Sequence, residues 1–253
     1  MEIGAVVGGR YRIGAGWGEV WFAQDTESGR PVVVKMLAEV PGPAVRLRHP
    51  GIVTVLAVGE HEGRPFLAME RLAGYTLDAH LLDGWFRPAQ LADFGAQVAE
   101  ALLVAHQAGM THSGIDPARL LLTPTGAVKI LGFGTIAPAR TSDLGALGKT
   151  LYQLLAHPVP PGSLGELGVL MRQLRDAESE QDPQLTEQFA ARLRRLAQEL
   201  AETEPVEQPR RPVVAQPFWI YQQPDRLLLG RVLVVVIWAG LIAVTAYAIA
   251  VTV

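Results

Sequence analysis

Residues 9–37 read GRYRIGAGWGEVWFAQDTESGRPVVVKML. Three short runs within this stretch, Tyr11–Ile13, Val20–Gln24 and Val32–Met36, are rich in β-branched and aromatic residues. Glycine, serine and proline separate them, with glycines at 14, 16 and 18 and a Ser28-Gly29-Arg30-Pro31 turn. Such spacing predicts strands joined as tight hairpins. The third run carries Lys35, and lysine is scarce: Lys35, Lys129 and Lys149 stand beside 19 arginines.

Outward from this stretch, Ile52–Val58 and Pro65–Met69 continue the strand pattern, with a Gly63-Arg64-Pro65 turn between them. From Tyr75 the apolar period becomes helical. Helices are predicted over Leu91–Gln107, ending at Gly109, over Asp143–Leu155 and over Thr186–Glu202. The last carries a stripe of Phe189, Leu193, Leu196 and Leu200, with Arg192, Arg194, Arg195 and Glu199 on a solvated face that lies near enough to the linker to meet acidic lipid. Strands followed by helices imply an α+β, two-lobed arrangement.

Composition narrows the function. The chain has 253 residues, is 49% hydrophobic and 19% charged, and has a formal net charge of −3. That is material for one large domain or two small ones. No basic stripe exists to meet a phosphate backbone, so no nucleic-acid partner is expected. With no cysteine there is no disulfide, thiolate metal site or cysteine nucleophile. The six histidines lack the i,i+4 spacing of a helical metal site, and no metal site is expected.

The composition breaks near the C-terminus. Residues 232–253, VLVVVIWAGLIAVTAYAIAVTV, contain no charge. As a helix this run would reach about 33 Å, enough to cross a lipid bilayer. Arg226 and Arg231 flank its N-terminal side, which places the preceding domain on the cytoplasmic face of a cell membrane, as a single-pass, C-terminally anchored protein. Residues 204–231 form a juxtamembrane linker, with five prolines between Glu204 and Arg226 that favour an extended spacer. Its Phe218, Trp219 and Tyr221 suit either the lipid headgroups or a docking contact on the domain.

Several segments, taken in order, resemble a bacterial serine/threonine protein kinase domain. Residues 9–37 look like the Gly-rich loop and the strand bearing the phosphate-pairing lysine, here Lys35; residues 47–77 look like the next strands and the hinge. HSGIDPARLLL (112–122) occupies the catalytic loop, VKILGFG (128–134) the metal-binding turn, and SDLGALGKTLYQLL (142–155) the helix after the activation segment. The resemblance implies a reduced two-lobed protein-kinase-like fold: a small antiparallel N-lobe (1–72) and a shortened helical C-lobe (73–203), ahead of the linker and the transmembrane helix.

The resemblance also implies where chemistry should sit, and the residues depart from it. Gly114 stands where the family has the aspartate that accepts the hydroxyl proton. Asp116 replaces the lysine that steadies the transferred phosphate, and Arg119 replaces a magnesium-binding asparagine. Gly132 replaces the aspartate of the Asp-Phe-Gly turn. An i,i+3 contact between Asp116 and Arg119 would occupy the one nearby acid. Only 13 residues separate Lys35 from His49, and they include Pro41-Gly42-Pro43, so a regulatory helix presenting a glutamate does not fit. Six residues, 135–140, stand where the family has a long activation segment. Asp143 matches the aspartate that braces the catalytic-loop backbone, and His112 reads as a core histidine bonded to backbone.

For the nucleotide cleft, Gly14, Gly16 and Gly18 match the phosphate-cradling loop, with the third glycine one residue early. The same glycines equally suit a tight hairpin. The resemblance implies that Val33 roofs the adenine, Leu121 floors it and Met69 to Leu72 offer hinge groups, with Val20 and Lys35 also in the cleft. No cofactor is expected, with ATP bound without magnesium as the alternative.

The expectation is therefore a membrane-anchored cytosolic pseudokinase, a non-enzyme acting as a scaffold or regulator for a cytosolic or membrane signalling protein, with the lipid bilayer engaged through 232–253. The alternatives are a divergent ATP-binding serine/threonine protein kinase and a nucleotide-gated switch.

Overall fold

The computed structural model describes residues 1–81, 86–134, 142–155, 164–177 and 182–203. The juxtamembrane linker, the apolar run 232–253 and the segment 135–140 lie outside the described residues. Among the described residues no helix is long and apolar enough to cross a membrane.

The first lobe is a curled antiparallel sheet of β1 (Val6–Val7), β2 (Tyr11–Trp17), β3 (Val20–Asp25), β4 (Pro31–Met36), β5 (Val55–His61) and β6 (Arg64–Glu70). Its order is β1-β2-β3-β4-β6-β5. Alternation puts Val32, Val34 and Met36 on one face of β4, where they bury with Tyr11, Ile13, Phe66 and Ala68. The β3–β4 turn is knotted by Asp25. Its carboxylate accepts from Arg10 Nε and Nη2 at 2.7 and 2.8 Å, from Ser28 Oγ at 2.6 Å and from Glu27 N at 3.1 Å. The Arg10 guanidinium and Ser28 hydroxyl hold this carboxyl well below the usual carboxylate range.

Between β4 and β5 the chain makes only a 3-10 turn, Pro43–Arg46. The strand expected over Ile52–Val58 is displaced: β5 begins at Val55, and Ile52 instead forms a parallel bridge to Ile130 of the other lobe. Val53 N donates to the Ile130 carbonyl at 3.0 Å and Ile130 N to that of Gly51 at 2.8 Å. These long-range partners outweigh the local strand pattern at 52–54.

The second lobe starts with β7 (Tyr75–Thr76), α1 (Leu77–His80) and α2 (Pro88–Gln107). It continues through β8 (Leu120–Leu122), β9 (Val128–Ile130), α3 (Asp143–Leu154), α4 (Gly165–Arg175) and α5 (Pro183–Thr203). The β7-β8-β9 sheet and α4 were not foreseen; the strands have two or three residues each, too short for a period to register. α2 begins three residues before its expected start because Pro88 suits the first helical position and Gln90 Oε1 accepts from Arg87 N at 3.0 Å. α2 and α5 bury Leu102, Phe189, Leu193 and Leu196 in one core. The solvated-face reading of the α5 arginines fails at Arg194. It is half-buried and forks onto Glu100 of α2 at 2.9 Å through both Nε and Nη2, and it also reaches Asp93.

Candidate functional site

The cleft takes its apolar lining from both lobes. Val33 and Lys35 share one face of β4, and Val20 pairs with Lys35 across β3. Val20, Val33 and Leu121 bury in one cluster with Val53 and Leu131, and Phe22, Met69 and Leu72 pack against it. The fold thus gathers the residues expected at roof, floor and hinge. It adds three that sequence reasoning missed: Val53 from the displaced strand, Phe22 from β3 and Leu131 from the residue before Gly132. Val33 and Leu121 expose nothing to solvent, so a purine ring entering here must take the place of side-chain contacts within the cluster.

The glycines of the β2–β3 hairpin have local tasks. A Cβ on Gly16 would fall 2.5 Å from the Trp21 ring and 2.7 Å from the Val20 carbonyl oxygen, and Gly18 turns the chain at φ +56°. Gly14 is less constrained, meeting only the Phe22 carbonyl oxygen at 3.5 Å. Two of the three glycines are therefore explained by the hairpin itself.

Lys35 has no hydrogen bond or ion pair among the described residues, and burial, then the positive charge of Arg119, push its pKa down. The carboxylate that a regulatory helix would supply is missing, and Glu39 is exposed. In that helix's place, Gly42 N donates to the Gly134 carbonyl at 3.0 Å. The short connection thus closes directly onto the turn after Gly132.

The catalytic loop is braced as its sequence implies. The buried Asp143 carboxylate accepts from His112 N and Ser113 N, each at 2.8 Å, and faces His106 Nε2 at 3.1 Å. Burial pulls its pKa up, but the donors from His106, His112 and Ser113 outweigh that and leave it lowered. These bonds hold Ser113 at φ +62°, a left-handed conformation that a non-glycine residue adopts at a cost. His112 Nε2 donates to the Leu131 carbonyl at 2.9 Å. Among the described residues its Nδ1 is buried without a partner, and burial depresses its pKa.

Downstream, Asp116 caps the 3-10 turn Pro117–Arg119, its Oδ1 accepting from Arg119 N at 3.1 Å. Its other oxygen pairs with Arg119 Nη1, which also donates to the Gly114 carbonyl at 2.9 Å. Asp116 is thus engaged with Arg119, as the i,i+3 spacing suggested. A cavity of about 220 Å³ adjoins this loop, lined by Ser113, Gly114, Asp116, Lys149 and Thr150 among others.

The residues present do not fit magnesium. One family ligand position holds the Arg119 guanidinium, which donates only. The other holds Gly132 at φ +97°, where any side chain would be strained. Among the described residues no three histidine or carboxylate groups gather as a metal site.

Comparison with known proteins supplies the context. Residues 12–144, more than half of the chain, match the family described as "Protein kinase domain". Serine/threonine-protein kinase PknA of Mycobacterium tuberculosis is 34% identical over 205 residues, which cover 67% of this chain and 47% of that protein. A probable serine/threonine-protein kinase PknB of Corynebacterium glutamicum is 36% identical over 168 residues, covering 59% of this chain and 25% of its own length. The chain spans about half or less of the length of these relatives. The crystal structure of the kinase domain of Mycobacterium tuberculosis PknI superposes with a TM-score of 0.64 at 21% identity, over 78% of this chain and 99% of that one. It shares the fold: an antiparallel curled sheet above a helical lobe.

These findings correct one expectation. The substitutions at Gly114, Asp116, Arg119 and Gly132 suggested a non-enzyme, yet the relatives bear the names of serine/threonine protein kinases and the family match runs through all four positions. The similarity is to serine/threonine protein kinases, and the expectation of a non-enzyme is not carried forward.

Proposed function

The chain belongs to the protein kinase domain family, and we propose on that premise that it is a divergent serine/threonine kinase that takes a nucleoside triphosphate beneath the β2–β3 hairpin. The observation that carries this reading is the retained register of the cleft. Lys35 and Val33 share a face of β4, and Val33 lies in one cluster with Leu121, Met69 and Leu72. The acceptor hydroxyl would approach past Gly114, beside the cavity that Lys149 and Thr150 help to line. With Gly114 offering no side chain to take the hydroxyl proton, that proton passes to solvent. Loss of a general base costs roughly 10²–10⁴ in rate, so turnover is slow.

The apolar run 232–253 would hold the domain at a membrane, with Arg226 and Arg231 on the cytoplasmic side. Confinement there raises the local concentration of any membrane-bound substrate.

The test is transfer of labelled phosphate from ATP to the full chain in detergent, or to a generic basic protein acceptor, with Lys35→Met as the control. Slow transfer that disappears in the variant supports the reading; transfer equal in the two proteins, or none in either, overturns it. Nucleotide binding without transfer would favour a second reading, in which the domain regulates a signalling partner by nucleotide-dependent docking. The Asp116–Arg119 pair, which occupies the loop's acid, is the observation that speaks for it.

A further inference from the structure

We propose that the cleft contains a metal-free polyphosphate site in which Lys35 and Arg119 together grip the anionic end of a nucleoside triphosphate, the guanidinium of Arg119 standing in for a divalent cation. This deepens the nucleotide reading above and rests on it for the identity of the base-bearing ligand.

The fold places both cations beside the same apolar cluster. Lys35 lies two residues beyond Val33 on one face of β4, and Arg119 lies two residues before Leu121 of β8. Val33 and Leu121 belong to one buried cluster, and Leu131 N of that cluster donates to the Arg119 carbonyl at 2.9 Å. The two charges are near enough that Arg119 lowers the pKa of Lys35, and no carboxylate acts on Lys35 in the opposite sense. Two neighbouring cations repel each other, and an anion held by both removes the repulsion.

The donor inventory agrees. Arg119 spends Nη1 on Asp116 and the Gly114 carbonyl. Those bonds orient the guanidinium, while Nε and Nη2 have no partner among the described residues, and neither does Lys35 Nζ. A planar fork with free N–H groups beside an ammonium is the donor pattern that binds phosphate oxygens. Asp116 offsets one positive charge, so the site is weaker than a lysine with two magnesium ions. Bound magnesium works against it: the ion screens the phosphate oxygens that Arg119 would contact, and the guanidinium repels the ion.

The experiment is calorimetric titration of the full chain in detergent with inorganic tripolyphosphate and, separately, with ATP, each in EDTA and in excess magnesium. Both are expected to bind in EDTA, with affinity falling when magnesium is added. Arg119→Ala should weaken tripolyphosphate binding roughly 10- to 100-fold, the range for hydrogen bonds to a charged partner. Arg119→Lys, which keeps the charge but loses the fork, should fall between the two, and Arg192→Ala, on α5 away from the cleft, should bind as the parent does. Melting curves of each variant verify folding. The proposal fails if tripolyphosphate does not bind in EDTA, if magnesium strengthens binding, or if folded Arg119→Ala and Arg119→Lys both bind unchanged. If tripolyphosphate binds and ATP does not, the anion site stands and the nucleotide reading falls.

Discussion

The backbone N–H of Gly42 donates to the carbonyl of Gly134 at 3.0 Å, joining the short connection after β4 to the turn that follows β9. A kinase-like lobe that lacks its regulatory helix must close the space beneath its sheet in some other way. Here Leu37, Val45, Val55 and Leu67 bury together behind this contact, so backbone and small side chains do the closing.

Gly134 should therefore tolerate no side chain. It sits at φ +71°, and an added Cβ would lie 2.9 Å from Val45 Cγ1 and 3.0 Å from Val45 N. Gly134→Ala is expected to cost about 1–3 kcal/mol through left-handed strain and overpacking. Urea denaturation would show it as a lower midpoint with an unchanged slope.

Asp143→Asn should destabilise more. The carboxylate serves three donors, His112 N, Ser113 N and His106 Nε2, in a buried setting. An amide presents one acceptor oxygen, which leaves buried donors unmatched and sets its own NH₂ against an N–H. The expected loss is about 3 kcal/mol, read by chemical denaturation. Amide exchange at His112 and Ser113 should also quicken.

Acid should weaken the fold in two stages. Burial lowers the pKa of His112, whose Nδ1 has no acceptor for a second proton. The unfolded chain therefore binds a proton more readily than the folded one, and this contribution is present above about pH 6.5 and lost as the pH falls through the folded pKa. The Asp143 carboxyl is also lowered, so its contribution persists above about pH 4 and is lost below that. Stability measured against pH should decline from near 6.5, and His112→Gln should flatten that upper limb.

Lys129 ties the lobes together. Its Nζ meets Glu70 Oε1 at 2.6 Å, joining β9 to the end of β6, and the same oxygen accepts from Thr54 N at 2.8 Å. Burial raises the Glu70 pKa, but Lys129 and Thr54 outweigh it and leave it lowered. Lys129→Met should cost about 1–2 kcal/mol, since it leaves a half-buried carboxylate with Thr54 alone to offset its charge. It should also raise the Glu70 pKa, which carbon-detected NMR titration would follow.

Much of this was legible before any coordinates. The hairpin spacing of residues 9–37 predicted three strands that the fold contains, extended by a few residues at their ends. The i,i+3 spacing of Asp116 and Arg119 predicted their pairing, and the position of Asp143 in its segment predicted the bracing of the catalytic loop. The displaced strand at 52–54 was not legible, because Ile52 and Val53 bond to Ile130, a residue far along the chain. Arg194 was misread for the same reason: helical periodicity sets it on a polar face, and only the packing of α5 on α2 brings Glu100 and Asp93 beneath it.

By itself the sequence determined that strands come first and helices follow, the family resemblance and the identities of the substituted positions. Those depend on local periodicity and on which side chains are present, and both are written along the chain. The tertiary structure alone decided that Gly16 serves the Trp21 ring, that Ile52 and Val53 bond to Ile130 instead of extending β5, and that Arg194 forks onto Glu100. Each of these is a relation between residues brought together by burial, and burial is a property of the folded chain that no local spacing encodes.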